Sequence, residues 1–354
     1  MSVLDLARAD IRALAPYSSA RMEASGGTVL LNANESPWAP AQDAPGLNRY
    51  PDPQPRALVE QLAALYGVAP DMVLVGRGSD EAIDLLVRAF CRAGEDAVLV
   101  SPPTFGMYAV AARIQGAAVI EAPLTEGFAL DAPTLLARVT PATKLVFVCS
   151  PNNPTGNLVD AGTIESLAVA LADRALLIVD EAYVEFSGAE SAAALIARHE
   201  NVAVLRTLSK AYALAGARVG SLVARAEIVS LLKKLIAPYP LPQASIEAAL
   251  RAISAAGVDE TRRRVATLVA ERERLRVLLP SLPGVHDVLL SQANFLTVRL
   301  RDARRVYETL LAAGIVVRDV GRYPGLADCL RISVGAPEEN ARVVEVLATR
   351  REAA

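Results

Sequence analysis

The sequence predicts an α/β protein, with a mostly parallel mixed sheet covered by helices on both faces and followed by a smaller α+β unit. Three observations lead there. Short apolar, β-branched runs alternate with helical patterns from Arg56 to Val223, and buried strands alternating with helices imply βαβ units. A length of 354 residues suits about two domains. After Pro238-Tyr239-Pro240 a long Arg-rich amphipathic stretch replaces the alternation. The expected organisation is an arm at 1–34, a large domain at 35–240 and a small C-terminal domain at 241–354.

The elements follow in order. Residues 1–34 read as an irregular arm with one short helical stretch, then Ala15-Pro16-Tyr17 and Gly26-Gly27. A Pro-rich loop, Pro37 to Pro55, leads to Arg56–Tyr66, where Leu58, Leu62 and Leu65 fall at helical spacing. Met72–Val75 is a short apolar run and Asp80–Cys91 is again helical. Strand-length runs recur at Ala97–Val100, Lys144–Cys149, Ala175–Val179, Val202–Leu205 and Val219–Val223. Beyond Pro240, Gln243–Leu279 reads as one long helix or two. The patterns then give strand Asn294–Leu300, helix Ala303–Ala313, strands Ile315–Arg318 and Cys329–Val334, and helix Pro337–Thr349.

Composition narrows the function classes. Thirty-six basic against 39 acidic residues, net −3, argue against a general nucleic-acid binder. Apolar residues at 53% and charged at 21% exclude a largely disordered chain. Mean hydropathy is positive, +0.31. Yet the longest stretch free of Asp, Glu, Lys and Arg is Ala97–Ala112, 16 residues interrupted by Pro102-Pro103, and a spanning helix needs about 20. Met1–Ile11 carries Asp5, Arg8 and Asp10 where a secretory signal has an apolar core. Cys91, Cys149 and Cys329 are far apart and sit in apolar runs, which reads as buried free thiols in a reducing compartment. A cytoplasmic location is expected. The only histidines, His199 and His286, carry no metal-ligand or triad spacing, so no metal site is expected. Lysines number four: Lys144, Lys210, Lys233 and Lys234.

Open parallel sheets bind ligands beyond the carboxyl ends of their strands, so the polar residues following each run matter most. Asp180 ends Ala175–Val179 and is followed by Glu181-Ala182-Tyr183. Alone it reads as a helix cap or turn residue. Thirty residues on, after the next strand, stands Ser209-Lys210, and eight further is Arg218. Upstream, Lys144–Cys149 runs into Ser150-Pro151-Asn152-Asn153-Pro154-Thr155-Gly156. A carboxylate, an amine and a guanidinium at successive strand ends suit a pyridine cofactor bearing an aldehyde and a phosphate. The carboxylate keeps the ring nitrogen protonated, the amine forms a Schiff base, and the cation holds the phosphate. Gly76-Arg77-Gly78-Ser79-Asp80-Glu81, a Gly-rich turn into a helix, offers further N–H groups to an anion.

Segments 150–156 and 180–183, with Ser209-Lys210 and Arg218, resemble the signature of fold-type-I aminotransferases, which use pyridoxal 5′-phosphate (PLP). The resemblance implies Lys210, Asp180 and Tyr183 as catalytic residues. It implies a phosphate cradle of Ser79, Asp80, Ser209 and Arg218, with Phe105 stacked on the ring and Asn153 and Tyr183 bonded to its oxygen. Lys144 opens a strand and Lys233-Lys234 lie on a helix, which leaves Lys210 as the amine. Further segments resemble the histidinol-phosphate aminotransferase family: 32–37, 49–52, 76–91, 206–216 and 330–335. These enzymes of histidine biosynthesis move an amino group from glutamate to imidazole-acetol phosphate, giving L-histidinol phosphate and 2-oxoglutarate. That resemblance implies substrate binding by Tyr17, Asn153, Arg318 and Arg331. It also implies that Tyr50 reaches the cofactor phosphate of a partner subunit in a homodimer, with no nucleic-acid or membrane partner. Rival readings are an aromatic-amino-acid aminotransferase, with Arg331 on a carboxylate, and a PLP-dependent phospho-amino-acid decarboxylase. A transcription regulator on the same scaffold would need a DNA-binding domain and a more basic charge.

Overall fold

The computed structural model describes residues 2–17, 29–40 and 46–349. The larger of its two sheets has seven strands: β1 (Val73–Gly76), β2 (Ala97–Val100), β3 (Ala118–Glu121), β4 (Thr143–Cys149), β5 (Leu176–Asp180), β6 (Val202–Thr207) and β7 (Gly220–Val223). Their spatial order is β1-β7-β6-β5-β4-β2-β3. Every pairing is parallel except those of β7, which runs antiparallel to both β1 and β6. The expected mixed, mostly parallel sheet is borne out.

Both faces of this sheet are buried along its central strands, and the side-chain alternation of a strand assigns its residues to two cores. Phe147, Ile178, Leu205 and Leu222 join one cluster, while Val146, Val148, Val179, Val204 and Val223 join the other. Helices α3 (Ser79–Phe90), α4 (Met107–Gln115) and α7 (Ala226–Leu232) cover the first face. Helices α5 (Ala132–Arg138) and α6 (Ala161–Ala170) cover the second. Burial on both sides is why these strands read as unbroken apolar runs.

Before them come α1 (Ala9–Ala13) and α2 (Arg56–Tyr66). The start of the arm is less loose than expected: Val3, Leu6 and Ala7 are buried in the first core. Residues 18–28 of the expected arm, Gly26-Gly27 among them, lie outside the described residues. The stretch after Pro240 resolves into two helices, α8 (Gln243–Ala252) and α9 (Ala255–Leu278). Ser254 separates them and caps the second by accepting a hydrogen bond from the Gly257 N–H at 3.2 Å. Ile246 and Ala249 of α8 pack with Leu58 and Leu62 of α2.

The second sheet is antiparallel, with β8 (Val285–Val288), β9 (Phe295–Leu300), β10 (Arg318–Asp319) and β11 (Cys329–Ser333) in the order β10-β11-β9-β8. One face, with Leu296, Val298, Leu330 and Ile332, packs on α9, α10 (Ala303–Ala312) and α11 (Pro337–Ala348). Two strands escape the sequence patterns, β3 and β8. Both lie on sheet edges with partly exposed residues, so neither presents a continuous apolar run. The expected strand Ile315–Arg318 is replaced by a two-residue β10: only Arg318 and Asp319 pair with β11, while Ile315 and Val317 pack against the small core without a ladder partner. No helix among the described residues is long and apolar enough to cross a membrane.

The reversed strand β7 positions the site. Gly220 pairs with Thr207 on one side and Gly76 on the other, so the residues before β7 meet the carboxyl ends of β1 and β6. A Cβ at Gly220 would overlap the Gly78 carbonyl carbon and the Ser79 nitrogen. Backbone cannot give way as a flexible side chain can. Gly220→Ala is therefore expected to cost about 1–3 kcal/mol of stability, read as a lower urea midpoint at unchanged slope.

Candidate active site

The carboxyl ends of β4, β5 and β6 open on a cleft of about 330 Å³. It is lined by Gly78, Ser79, Asp80, Phe105, Cys149, Asn153, Asp180, Tyr183, Thr207, Ser209, Lys210, Arg218, Arg318, Tyr323 and Arg331, among others. Of the residues singled out in the sequence, all but Tyr17 and Tyr50 line this one cleft. Tyr17 is 70% exposed, and Tyr50 stacks on Tyr239 at 4.3 Å, outside the cleft of its own chain.

Asp180 is the last residue of β5, level with Cys149 of β4, and is only 3% exposed. Its Oδ2 accepts the Tyr108 hydroxyl at 2.7 Å and its Oδ1 the Ala182 N–H at 3.1 Å. Burial raises its pKa to about 6, against the opposing pull of those two hydrogen bonds. Lys210 follows β6. It lines the cleft, where loss of water around its amine, with Arg331 nearby, lowers its pKa. The Lys210 Nζ lies 5.7 Å from the centroid of the Tyr183 ring. Burial pushes the Tyr183 phenol and the Cys149 thiol upward, so both are neutral.

An anion cradle forms at the other end of the cleft. Helix α3 begins after Gly78 with no side chain capping its first N–H groups, which leaves them for an anion. Gly78 has a positive φ of 79°, and a Cβ there would sit 2.6 Å from Arg218 Nη2. Arg218 itself adopts the left-handed region, φ 55°, a strained choice that lays its guanidinium across the turn. It donates to Ser209 Oγ at 3.5 Å and Asp80 Oδ2 at 3.4 Å.

The small sheet supplies the remaining wall. Arg318 and Arg331 are direct partners across the β10–β11 ladder, so their side chains leave the same face of the sheet. Arg331 Nη1 donates to Asn153 Oδ1, while Asn153 Nδ2 donates to the Tyr183 hydroxyl at 3.4 Å. The Arg331 Nε is buried without a partner, and its guanidinium lies 5.1 Å from the Phe295 ring centroid. A chain of contacts thus runs from the small sheet to Tyr183.

Sequence reasoning gave no role to several residues. Asn152 ties the 150–156 loop to the loop carrying Phe105: its Nδ2 donates to the Pro103 carbonyl (2.8 Å) and Thr155 Oγ1 (2.6 Å), and its Oδ1 accepts from Thr104 (2.8 Å). Tyr108 bonds Asp180, and Tyr323 lines the cleft opposite Gly106. For Tyr108 the available signal was a phenol in an otherwise apolar helix. A buried phenol usually finds a hydrogen-bond partner, but the sequence does not say which.

These residues fit pyridoxal phosphate. The uncapped α3 terminus, Ser209 and Arg218 suit its phosphate, Asp180 its ring nitrogen, Phe105 its ring face, and Lys210 stands between them.

Known proteins match the chain over most of its length. Residues 26–347 match the family described as aminotransferase class I and II. Histidinol-phosphate aminotransferase of Stenotrophomonas maltophilia is 56% identical, covering 99% of this chain and 98% of its own. That of Xanthomonas euvesicatoria is 53% identical, covering 99% and 98%. Among solved structures, histidinol-phosphate aminotransferase from Sinorhizobium meliloti in complex with pyridoxal-5′-phosphate aligns with a TM-score of 0.75 at 27% identity, covering 89% of each chain. The Clostridium acetobutylicum enzyme of the same name aligns at 0.78 and 23% identity, over 85% of this chain and 90% of its own, which speaks for the fold alone.

Asp180 also gives a stability prediction. Its folded pKa, about 6, lies above the unfolded value of 3.8. The folded chain therefore binds the extra proton between those values, and stability falls as pH rises through that window. The shift corresponds to about 3 kcal/mol. Without cofactor, Asp180→Asn is expected to melt above the wild type at pH 8, with the advantage shrinking as pH falls from 6 to 4. Thermal melts of the two chains across that range check it.

Proposed function

The chain belongs to the class I and II aminotransferases, and from that premise we propose that it transfers the amino group of L-glutamate to imidazole-acetol phosphate. The products are L-histidinol phosphate and 2-oxoglutarate, in histidine biosynthesis. The observation that carries the substrate choice, beside the relatives' names, is the Arg318–Arg331 pair. Two guanidiniums from adjacent strands face the cleft that holds Lys210, and such a fork suits the dianionic phosphate of one substrate and the carboxylate of the other.

The residues divide the work by position. Pyridoxal phosphate, when bound, supplies an aldehyde carbon that exchanges amino groups and a ring that withdraws electrons. The N–H groups of Ser79 and Asp80, with Ser209 and Arg218, would hold its phosphate. Asp180 would hold a proton on the ring nitrogen, keeping the ring an electron acceptor. Phe105 would cover the ring face, and Tyr183 and Asn153 would orient the ring oxygen. Lys210 Nζ takes up and returns the proton of the substrate carbon that carries the amine. The lowered pKa suits this role, since an amine closer to the working pH is more often a free base. Arg331 and Arg318 place the phosphate end, so that the amino end meets Lys210.

Tyr17 and Tyr50 stand outside the cleft with exposed rings. In our reading the enzyme is a homodimer in which Tyr50 of the partner subunit reaches the cofactor phosphate and Tyr17 closes on the substrate phosphate.

The test is the half-reaction followed by absorbance. The PLP-loaded protein is mixed with L-histidinol phosphate and, separately, with L-phenylalanine and L-tyrosine over a concentration series. Conversion to the pyridoxamine band at low histidinol phosphate, with the aromatic acids far weaker, is the expected result. Faster conversion by the aromatic acids would reassign the enzyme to them. Arg318→Gln is expected to raise the KM for histidinol phosphate about tenfold, the loss of one charge-assisted contact, and to leave kcat nearly unchanged. Steady-state kinetics with saturating 2-oxoglutarate measures both.

A further inference from the structure

We propose that Tyr108 is a positioning residue for this reaction: its buried hydroxyl, donated to Asp180 Oδ2, keeps that carboxylate ionised and aimed into the cleft. The inference rests on the reading of Asp180 as the ring-nitrogen partner.

Packing alone gives no reason for a hydroxyl here. Tyr108 is the second residue of α4 and fully buried. Its ring stacks on Phe147 of β4 at 4.6 Å and 9°, and meets Phe105 edge-on at 5.6 Å. A phenylalanine would make the same ring contacts. The hydroxyl instead lies 2.7 Å from Asp180, within the range of a bond between a neutral O–H and a carboxylate. Among the described residues, the other carboxylate oxygen accepts only the Ala182 N–H. Two donors, one on each oxygen and from different elements, fix the carboxylate plane.

The charges around Asp180 leave the phenol a particular part. Groups facing it are Tyr108 from α4, Cys149 from β4, Asp80 from α3, Lys210 from the loop after β6, and Tyr183. Burial and Asp80 favour its neutral form, while Tyr108, the Ala182 N–H and Lys210 favour the anion. Burial and Asp180 hold the Tyr108 phenol itself well above its ordinary value, so it acts as a donor and never as a competing anion. Tyr108 also touches Phe105, so one side chain sets both the carboxylate and the aromatic wall placed against the ring.

Tyr108→Phe, Asp180→Asn and the double variant test the proposal. Each apo-protein is titrated with PLP from pH 5 to 9, and dissociation constants are read from the bound-cofactor absorbance. Removing the hydroxyl is expected to move the acid limb of affinity up by about one pH unit, which weakens PLP about tenfold at pH 5 and about twofold at pH 7. In the Asp180→Asn background the same change should cost less than about twofold at pH 5, because the two residues act as one unit. Should Tyr108→Phe fail to fold, replacing Tyr108 with 3-fluorotyrosine, a stronger donor of nearly the same shape, should move the limb the opposite way.

An unmoved acid limb, or equal losses in both backgrounds, overturns the proposal while leaving the function intact. A wild type that binds no PLP, or binds it equally well after Asp180→Asn, fails the reading of Asp180 and this proposal with it.

Discussion

Burying Asp180 at the end of β5 removes its carboxylate from water, and Tyr108 and the Ala182 N–H replace only part of what is lost. The rest of the site is disposed around that cost. A buried anion with two donors still has lone pairs facing the cleft, and a protonated ring nitrogen there would complete its shell. A cation bound there would relieve the cost of burying the carboxylate, which would couple affinity to stability through Asp180. Next along the chain, Glu181 is also buried, but it is paired within the protein. Its carboxylate accepts from Ser191 and the Ala192 N–H, and Arg206 binds both it and Glu185. Adjacent acids thus have opposite fates, because strand alternation sends one to the cleft and the other into an internal ion cluster.

The single reversed strand has a comparable reach. In an all-parallel sheet the residues before a strand lie at the edge opposite to the ligand. Because β7 runs backward, Arg218 enters it at the ligand edge, beside the uncapped start of α3. That approach is possible only where side chains are absent, at Gly78 and Gly220. Arg218 accepts a left-handed backbone in return for the position.

The small sheet supplies one wall of the cleft. Its inner row, with Phe295, Thr297 and Arg331, faces the loop after β4: Thr297 donates to the Pro154 carbonyl and Arg331 to Asn153. Arg331 and Tyr183 therefore share Asn153 as a partner, so a shift of the small sheet is felt at Tyr183.

By itself the sequence determined the α/β class, the run of strands and the residues at their carboxyl ends. A strand buried on both faces must be apolar throughout, which makes it visible in one dimension and makes the polar residue that follows stand out. Lys210, Asp180 and Arg218 were legible for that reason, and the resemblance supplied their roles. The edge strands β3 and β8 were not, since partial exposure lets their composition vary. Nor was the partner of Asp180. Tyr108 lies 72 residues away in sequence, and only the parallel packing of β4 beside β5, with α4 laid across them, decides that a phenol rather than a water or a cation meets the carboxylate. The facing of Arg318 with Arg331 belongs to the same class, because strand register is set by which residues both cores can bury together, a condition no local segment contains.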